Sequence, residues 1–354
     1  MKDLQIGWVG AGFVGQAAHL EHCINFDSCA INSLADRRPM LAKKVGKSYN
    51  IPNILQSHKD LIKSKDLDAI IAVVNRRHTF NVAKDILLSG RHLLTEKPMA
   101  THYNNAYELA NIAEKKGLIY ATGFMRRYDS GVRKFKSLLT DTIKSCKLGK
   151  ILSVRIYVEA GSDYCGIKPR ISSTEKKPAA PPVNIAPDWI PKDRQLEYEN
   201  FVNVCTHDIN LMRFLFQKTP KVSFVDYRFL GFSYALLDFG DFPGIFEWGI
   251  RTNDNDGWKE GLEVRFEKGQ FSLELPPAFL RNVSAKVTIR EDSSTTNSQS
   301  SVKVISSGYS WAFENSDLAF VKGVIDNNEP DHSGRLCLED FLLMDEIWRH
   351  IIKR

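Results

Sequence analysis

No apolar run in this chain of 354 residues approaches the ~20 residues that a membrane-spanning helix requires. Lys2 and Asp3 lead straight into the first apolar run, so a cleaved export signal is not expected either. Cysteine is sparse. Cys23, Cys29, Cys146, Cys165, Cys205 and Cys337 form no C-x-x-C pair and no ligand-like cluster with histidines along the sequence. The expectation is therefore reduced, mostly structural thiols, no metal and a cytoplasmic location. The net charge of +6 is spread out, with no block of Lys and Arg interleaved with aromatics, which argues against nucleic acid as a partner. No internal repeat is evident.

What is present begins at the first apolar run, residues 6–9, followed at once by Gly10, Gly12 and Gly15 in the spacing G-x-G-x-x-G. Apolar residues then recur at helical intervals over 13–23. Strand, glycine turn and helix start in that order suit a dinucleotide pyrophosphate. Gly10 permits the turn, Gly12 lets the backbone approach the phosphates, and Gly15 lets the helix lie close to the strand. Phe13 and Val14, at the helix start, complete the cradle with main-chain N–H groups and the positive end of the helix dipole.

Residues 1–123 repeat one theme. Short β-rich runs at 6–9, 30–35, 69–74, 92–95 and 118–122, with a weaker one at 54–55, alternate with helical periodicity at 13–26, 39–48, 58–64, 79–89 and 103–116. Strands apolar throughout and alternating with helices predict a doubly wound α/β domain around a parallel sheet. Asp36 closes the second strand 21 residues after Gly15, close to the ~20 expected of an acid that binds a ribose 2′-hydroxyl. A carboxylate there repels a 2′-phosphate and favours NAD, whereas Arg37 and Arg38 could clamp that phosphate and admit NADP.

From residue 124 the pattern changes. A helix is predicted over 132–143 and a strand over 151–160, followed by a loop over 161–194 rich in Pro, Lys and Ser. A loop this long reads as a lid or an insertion. A helix over 203–217 precedes strands near 222–229, 234–239, 245–252, 261–267, 271–275, 285–290 and 301–305. Their alternation predicts a mostly antiparallel sheet. The Ser/Thr/Asn tract 292–301 reads as a hairpin tip, and helices over 312–327 and 336–352 close the chain.

The sharpest local feature is Leu94-Thr-Glu-Lys-Pro98 at the C-terminal end of a parallel strand, the edge where open α/β sheets gather ligands. A lysine there can hold a substrate hydroxyl and help withdraw its proton. Pro98 restricts Lys97 to extended backbone, and the bond between them could be cis.

Together, residues 10–15, Glu96-Lys97-Pro98, Gly123-Phe-Met-Arg-Arg-Tyr128, Asn203-Val-Cys-Thr-His-Asp-Ile-Asn210 and the closing helices resemble the glucose–fructose oxidoreductase/inositol dehydrogenase/MocA family. The match takes in essentially the whole chain, in family order. It implies a Rossmann domain at 1–123 and a C-terminal α+β domain at 124–354 that binds substrate. That domain's large open sheet would mediate a homodimer or homotetramer. The implied activity is NAD(P)-dependent interconversion of a secondary alcohol and a ketone on a sugar, cyclitol or nucleotide sugar.

By the same resemblance Lys97 touches the reacting hydroxyl and His207 serves as general acid/base, while Glu96, Asn75 and His78 line the cofactor. A helix cap is the other reading of the turn at Asn75. The family's aspartate four residues before the histidine is replaced by Asn203, on the same helical face as His207. An amide can orient the imidazole or bind substrate, but it cannot stabilise imidazolium as a carboxylate does. Asp208 points ~100° away and cannot substitute. Arg126, Arg127 and Tyr128 could meet substrate hydroxyls or a phosphate, or form a domain-interface ion pair. Tyr164 and Trp189 could stack on a sugar ring. Lys168, Arg170, Lys176, Lys177, Lys192 and Arg194 make the long loop basic, compatible with a phosphorylated or nucleotide-linked sugar. Two competing functions remain open at this point: an NAD-dependent redox glycosidase, and a cofactor-binding sensor without turnover.

Overall fold

The structure, a computed structural model, describes residues 4–161, 166–179, 182–228, 231–250, 258–293 and 299–353. Two compact units divide the chain. Met1–Phe124, Ile167–Asn203 and Phe313–Leu338 form the first; Met125–Gly166, Val204–Ala312 and Glu339–Arg354 form the second.

The first unit is built on six parallel strands: β1 (Leu4–Val9), β2 (Cys29–Ala35), β3 (Asn53–Leu55), β4 (Ala69–Ala72), β5 (His92–Thr95) and β6 (Tyr120–Thr122). Their order is β3-β2-β1-β4-β5-β6. Ile6, Trp8, Leu34, Ile70, Ile71 and Leu93 are wholly buried, as expected of strands covered on both faces. The crossovers are a helix that opens with π-helical turns at Gly15–Leu20 and ends as α1 (Glu21–Cys23), then α2 (Pro39–Ser48), α3 (His58–Leu61), α4 (Thr79–Leu88) and α5 (Tyr103–Lys115). The chain lays β2 and β3 on one side of β1 and β4 to β6 on the other, so a crevice opens at the C-terminal ends of β1 and β4.

The second unit holds eight strands: β7 (Ile151–Ala160), β8 (Lys221–Asp226), β9 (Ser233–Asp238), β10 (Pro243–Ile250), β11 (Lys259–Phe266), β12 (Gly269–Leu275), β13 (Lys286–Glu291) and β14 (Ser301–Ile305). They run in the order β14-β13-β12-β11-β7-β10-β9-β8. Among the described residues only the β7–β10 pair is parallel, so the sheet is mostly antiparallel. The preceding helix α6 (Ser130–Ser145) packs on one face, with Phe135 edge-on to Phe271 at 6.0 Å. On β9, burial alternates strictly, leaving Tyr234 and Leu236 exposed.

The helices that follow are α7 (Gln195–Phe216), α8 (Ala312–Ile325) and α9 (Leu338–Ile352). Helix α7 begins eight residues before the expected start at 203, because the polar segment from Gln195 to Asn200 lacks the apolar spacing that marks a helix. Tyr164, Cys165 and part of the 292–301 tract lie outside the described residues.

The loop at 161–194 differs most from expectation. Its composition and position lead one to expect it in the second domain, yet from Ile167 onward it belongs to the first unit. Polar satisfaction explains this. Helix α2 has no acid in its first turn and no capping side chain of its own. The carboxylate of Glu175 takes that place, accepting from the N–H groups of Met40 and Leu41 at 3.1 Å each. The amide of Gln16 clasps Ile171 both ways, at 3.0 Å to its carbonyl and 3.0 Å from its N–H. Thr101 donates to the Asn184 carbonyl at 3.0 Å.

Candidate functional site

The glycine loop sits at the end of β1, inside the crevice. Gly10 has φ +101°, and a Cβ there would lie 2.1 Å from the Val73 carbonyl oxygen. No other residue fits. A Cβ on Gly15 would come within 2.5 Å of the Gly10 carbonyl, whereas one on Gly12 would meet only Arg38 Nη2, at 3.9 Å. Gly10 and Gly15 thus close the turn, and Gly12 between them leaves open space over it. That is the shape a pyrophosphate needs, so the cradle fits a dinucleotide. Gln16 braces the loop from below, donating to the Ala11 carbonyl at 2.8 Å.

Asp36 stands beside the loop, buried, and accepts from Ala11 N–H at 2.7 Å. Arg38 folds back onto it with three more bonds, from its main-chain N (2.9 Å), Nε (2.9 Å) and Nη2 (2.8 Å). All four acceptor positions of the carboxylate are taken. Burial works against its charge, but Arg38 and the Ala11 N–H together hold it below the usual carboxylate range. A ribose hydroxyl at Asp36 would therefore displace part of the Arg38 guanidinium. Arg37 is engaged elsewhere, by the Ala179 carbonyl.

Across the crevice, after β4, Asn75 accepts from Arg77 N–H at 3.0 Å and caps a short turn. His78 is kept neutral at pH 7, its pKa lowered by burial and by the charges of Arg37 and Arg77. Arg76 and Arg77 converge on the buried Glu199 at 3.1 and 2.6 Å. That clamp fastens the start of α7 to the β4 turn and has no periodic signature in the sequence. Trp189, expected to stack on a sugar, lies edge-on to Tyr198 at 6.2 Å.

After β5, the Lys97–Pro98 peptide is cis. The Lys97 amine donates to the main-chain carbonyl of Asn203 at 2.8 Å. Glu96 bridges two neighbours: Oε1 lies 3.0 Å from His19 Nε2, and Oε2 accepts from Lys97 N–H at 3.1 Å. His19, on the π-helical turns, is 2% exposed and presents Nδ1 to Asp317 Oδ2 at 2.8 Å. Burial disfavours its charge, but the Asp317 charge and bonds to both carboxylates outweigh this and raise its pKa to about 10. Only a doubly protonated ring can donate to both. Burial also opposes the charge of Asp317, yet His19 and His22 drive its pKa well below the usual range.

His22 Nε2 and Cys23 Sγ approach the same Asp317 oxygen, at 2.8 and 3.2 Å. Among the described residues, His22, Cys23 and Asp317 form one group whose donor atoms lie within 4.8 Å of one another. This corrects the expectation that no cysteine clusters with histidines, since the joining carboxylate lies 294 residues from Cys23. Burial and then Asp317 push the Cys23 thiol up.

In the second unit, His207 is half-buried on α7, while Asp208 beside it is buried on another face. Asn203 and His207 stand one turn apart on that helix, at the end of the first unit and within the second. Arg126, read either as a substrate contact or as half of a domain-interface ion pair, is buried and pairs with Glu260 inside the second unit, donating also to the Pro276 carbonyl at 2.7 Å. Arg127 donates to Asn210 Oδ1 at 2.6 Å. Tyr128 is buried, with the Arg133 guanidinium 4.6 Å from its ring centre. Arg126 and Arg127 are thus engaged within the second unit, because a charge carried into a core must be paired there.

Residues 4–124 match the family model described as an oxidoreductase family with an NAD-binding Rossmann fold. The chain is 28% identical over 168 residues to an inositol 2-dehydrogenase/D-chiro-inositol 3-dehydrogenase of Shouchella clausii, covering 46% of this chain and 47% of that protein. It is 20% identical over 223 residues to a myo-inositol 2-dehydrogenase of Thermotoga maritima, covering 63% and 58%. The chain thus spans about half the length of the curated relatives it matches.

Among solved structures, an NAD-binding oxidoreductase from Klebsiella pneumoniae superposes with a TM-score of 0.76 at 14% identity, covering 99% of this chain and 98% of that one. A 3-ketoreductase from Actinomadura kijaniata, in complex with NADP and TDP-benzene, gives 0.74 at 16%, with 99% and 98% covered. These likenesses establish the shared fold. With its glycine cradle at the sheet's switch point, the first unit carries the NAD-binding Rossmann fold of the oxidoreductase family whose model residues 4–124 match.

Proposed function

We propose that this protein is an NAD(P)-dependent oxidoreductase that interconverts a secondary alcohol and a ketone on a sugar or cyclitol. The observation that carries the reading is the sheet order. Because β1, β4 and β5 are neighbours, the glycine cradle, the Asn75 turn and the Glu96-Lys97-Pro98 turn share one edge of one sheet. A cofactor cradle and a lysine amine on the same edge suit hydride transfer at a hydroxyl-bearing carbon.

Bound NAD(P) would supply the hydride acceptor or donor. Lys97, its amine already directed by the Asn203 carbonyl, would hold the reacting hydroxyl. His207 would take the hydroxyl proton in the oxidative direction and return it in the other, a task suited to an imidazole with a pKa near ~6.5. Asn203 would orient His207 or the substrate through its amide. The exposed pair Phe224 and Leu236, opposite each other on β8 and β9, supports the expected homodimer or homotetramer.

The experiment is a screen of NAD+ and NADP+ against myo-inositol, other cyclitols, hexoses and nucleotide sugars, read by cofactor absorbance. Turnover of at least one secondary alcohol, lost in Lys97→Met and in His207→Ala, is the expected result. Cofactor binding with no turnover across the whole panel would instead favour a sensor that has kept the fold.

A further inference from the structure

His19 and Asp317 have no direct part in the proposed hydride transfer, although both are buried and linked to the Glu-Lys-Pro turn. Asp317 holds His19 Nδ1 at 2.8 Å, and His19 Nε2 holds Glu96 Oε1 at 3.0 Å. Glu96 Oε2 in turn takes the Lys97 main-chain N–H at 3.1 Å. A slot has been left for this carboxylate, since a Cβ on Gly123 would lie 2.6 Å from Glu96 Oε1. The turn lies beyond the end of β5: Glu96 N–H still reaches the Ala72 carbonyl, at 3.4 Å, and from Lys97 onward side chains help to set its direction. His19, at the other end of the chain of bonds, lies on the π-helical turns Gly15–Leu20 that lead directly out of the glycine cradle. Single π-helical turns recur at functional sites.

We propose that His19, gripped by Asp317, is a positioning residue for Lys97: acting through Glu96, it locks the Glu-Lys-Pro turn to the helix that carries the dinucleotide cradle. The amine and the cradle then keep a fixed spacing whether or not substrate is present. A lysine side chain has four rotatable bonds, and its use at a reacting centre depends on a main chain that does not drift. The proposal rests on the reading of Lys97 as the group that meets substrate. Its test is chosen to stand apart from turnover.

The test is competitive acetylation of the intact, ligand-free protein with a trace of isotopically labelled acetic anhydride, read by mass spectrometry. Labelling of Lys97 is expressed relative to that of the exposed Lys59. In His19→Ala, Lys97 labelling should rise about three-fold or more as the turn loosens, whereas His19→Gln, which keeps a donor toward Glu96, should stay within about two-fold of the parent. Should His19→Ala fail to fold, Glu96→Ala cuts the same link with less disturbance to the core, and it should raise Lys97 labelling similarly. Where turnover is measurable, His19→Ala should lower kcat about ten-fold or more with the NAD+ Kd within about three-fold, and His19→Gln should recover most of it.

Unchanged Lys97 labelling in a folded His19→Ala or Glu96→Ala protein would overturn the proposal, leaving His19 and Asp317 as a purely stabilising pair. A labelling response without any turnover would sink the assigned activity and leave the clamp standing.

Discussion

The amine of Lys97 is anchored 2.8 Å from the main-chain carbonyl of Asn203, not from its side chain. This changes what the family's missing aspartate means, because the lysine anchor does not depend on which side chain occupies position 203. Asn203→Ala should therefore keep Lys97 in place and lower kcat by less than about ten-fold, while Lys97→Met should cost about a hundred-fold or more. Steady-state kinetics on the best substrate of the screen decides it; equal losses would return the amide to the centre of the mechanism.

Introducing the carboxylate is the complementary change. In Asn203→Asp an anion one helical turn from His207 stabilises imidazolium and raises its pKa. The acid limb of the kcat/KM profile should move to higher pH, by up to about one unit. A limb that stays in place means that His207 does not set it.

Arg38 bears on cofactor choice. It occupies three of the acceptor positions of Asp36 and lies 3.9 Å from where a Cβ on Gly12 would stand. Arg38→Ala should weaken NADP+ about ten-fold, the loss of one charge-assisted contact, and alter NAD+ by less than about three-fold. Calorimetric titration of both dinucleotides makes the comparison.

The loop's glycines should respond differently from one another. Gly10→Ala strains a φ of +101° against a backbone oxygen and should cost about 2 kcal/mol or more of stability. Gly12→Ala meets nothing closer than 3.9 Å in the protein, so it should melt near the parent temperature yet bind NAD+ at least about ten-fold more weakly. Melting curves with and without NAD+ separate the two effects.

His19 makes stability depend on pH. Its pKa is about 10 when folded and ~6.5 when unfolded, so the folded state binds the extra proton. The stabilisation is complete below ~6.5 and is lost as pH rises through about 10. Asp317, Glu96 and His22 face the ring. The raised Cys23 thiol acts in the same alkaline direction. The melting temperature should fall over this range, and less steeply in His19→Gln.

What could be read in the sequence divides along physical lines. The glycine cradle, Asp36 and the Glu-Lys-Pro turn are local arrangements of backbone and neighbouring residues, and each stands where its spacing placed it. The six parallel strands announce themselves as apolar runs, although the 69–74 run pairs only as Ala69–Ala72. Contacts made by single polar side chains across long separations leave no such imprint. Glu175 reaches the cap of α2 from 134 residues away, and Asp317 reaches His19 from 298. The burial of Arg126 beside Glu260 is invisible for the same reason. A sharper signal was available for His19, since a histidine on the apolar face of the helix after the cradle must find a partner.

The placement of Asp317 also bears on how the protein is made. The cradle, the first helix and all six strands have been synthesised by residue 124. Yet of the two carboxylates that hold buried His19, Asp317 arrives only with residue 317, and the cap of α2 comes with residue 175. On the ribosome the nascent Rossmann sheet therefore waits for nearly the whole chain before its buried polar groups all have their partners, a delay of roughly 10–40 s at ~5–20 residues per second. A fragment ending at residue 124 should behave as a folding intermediate, whereas a fragment reaching residue 338 carries every segment of the first unit.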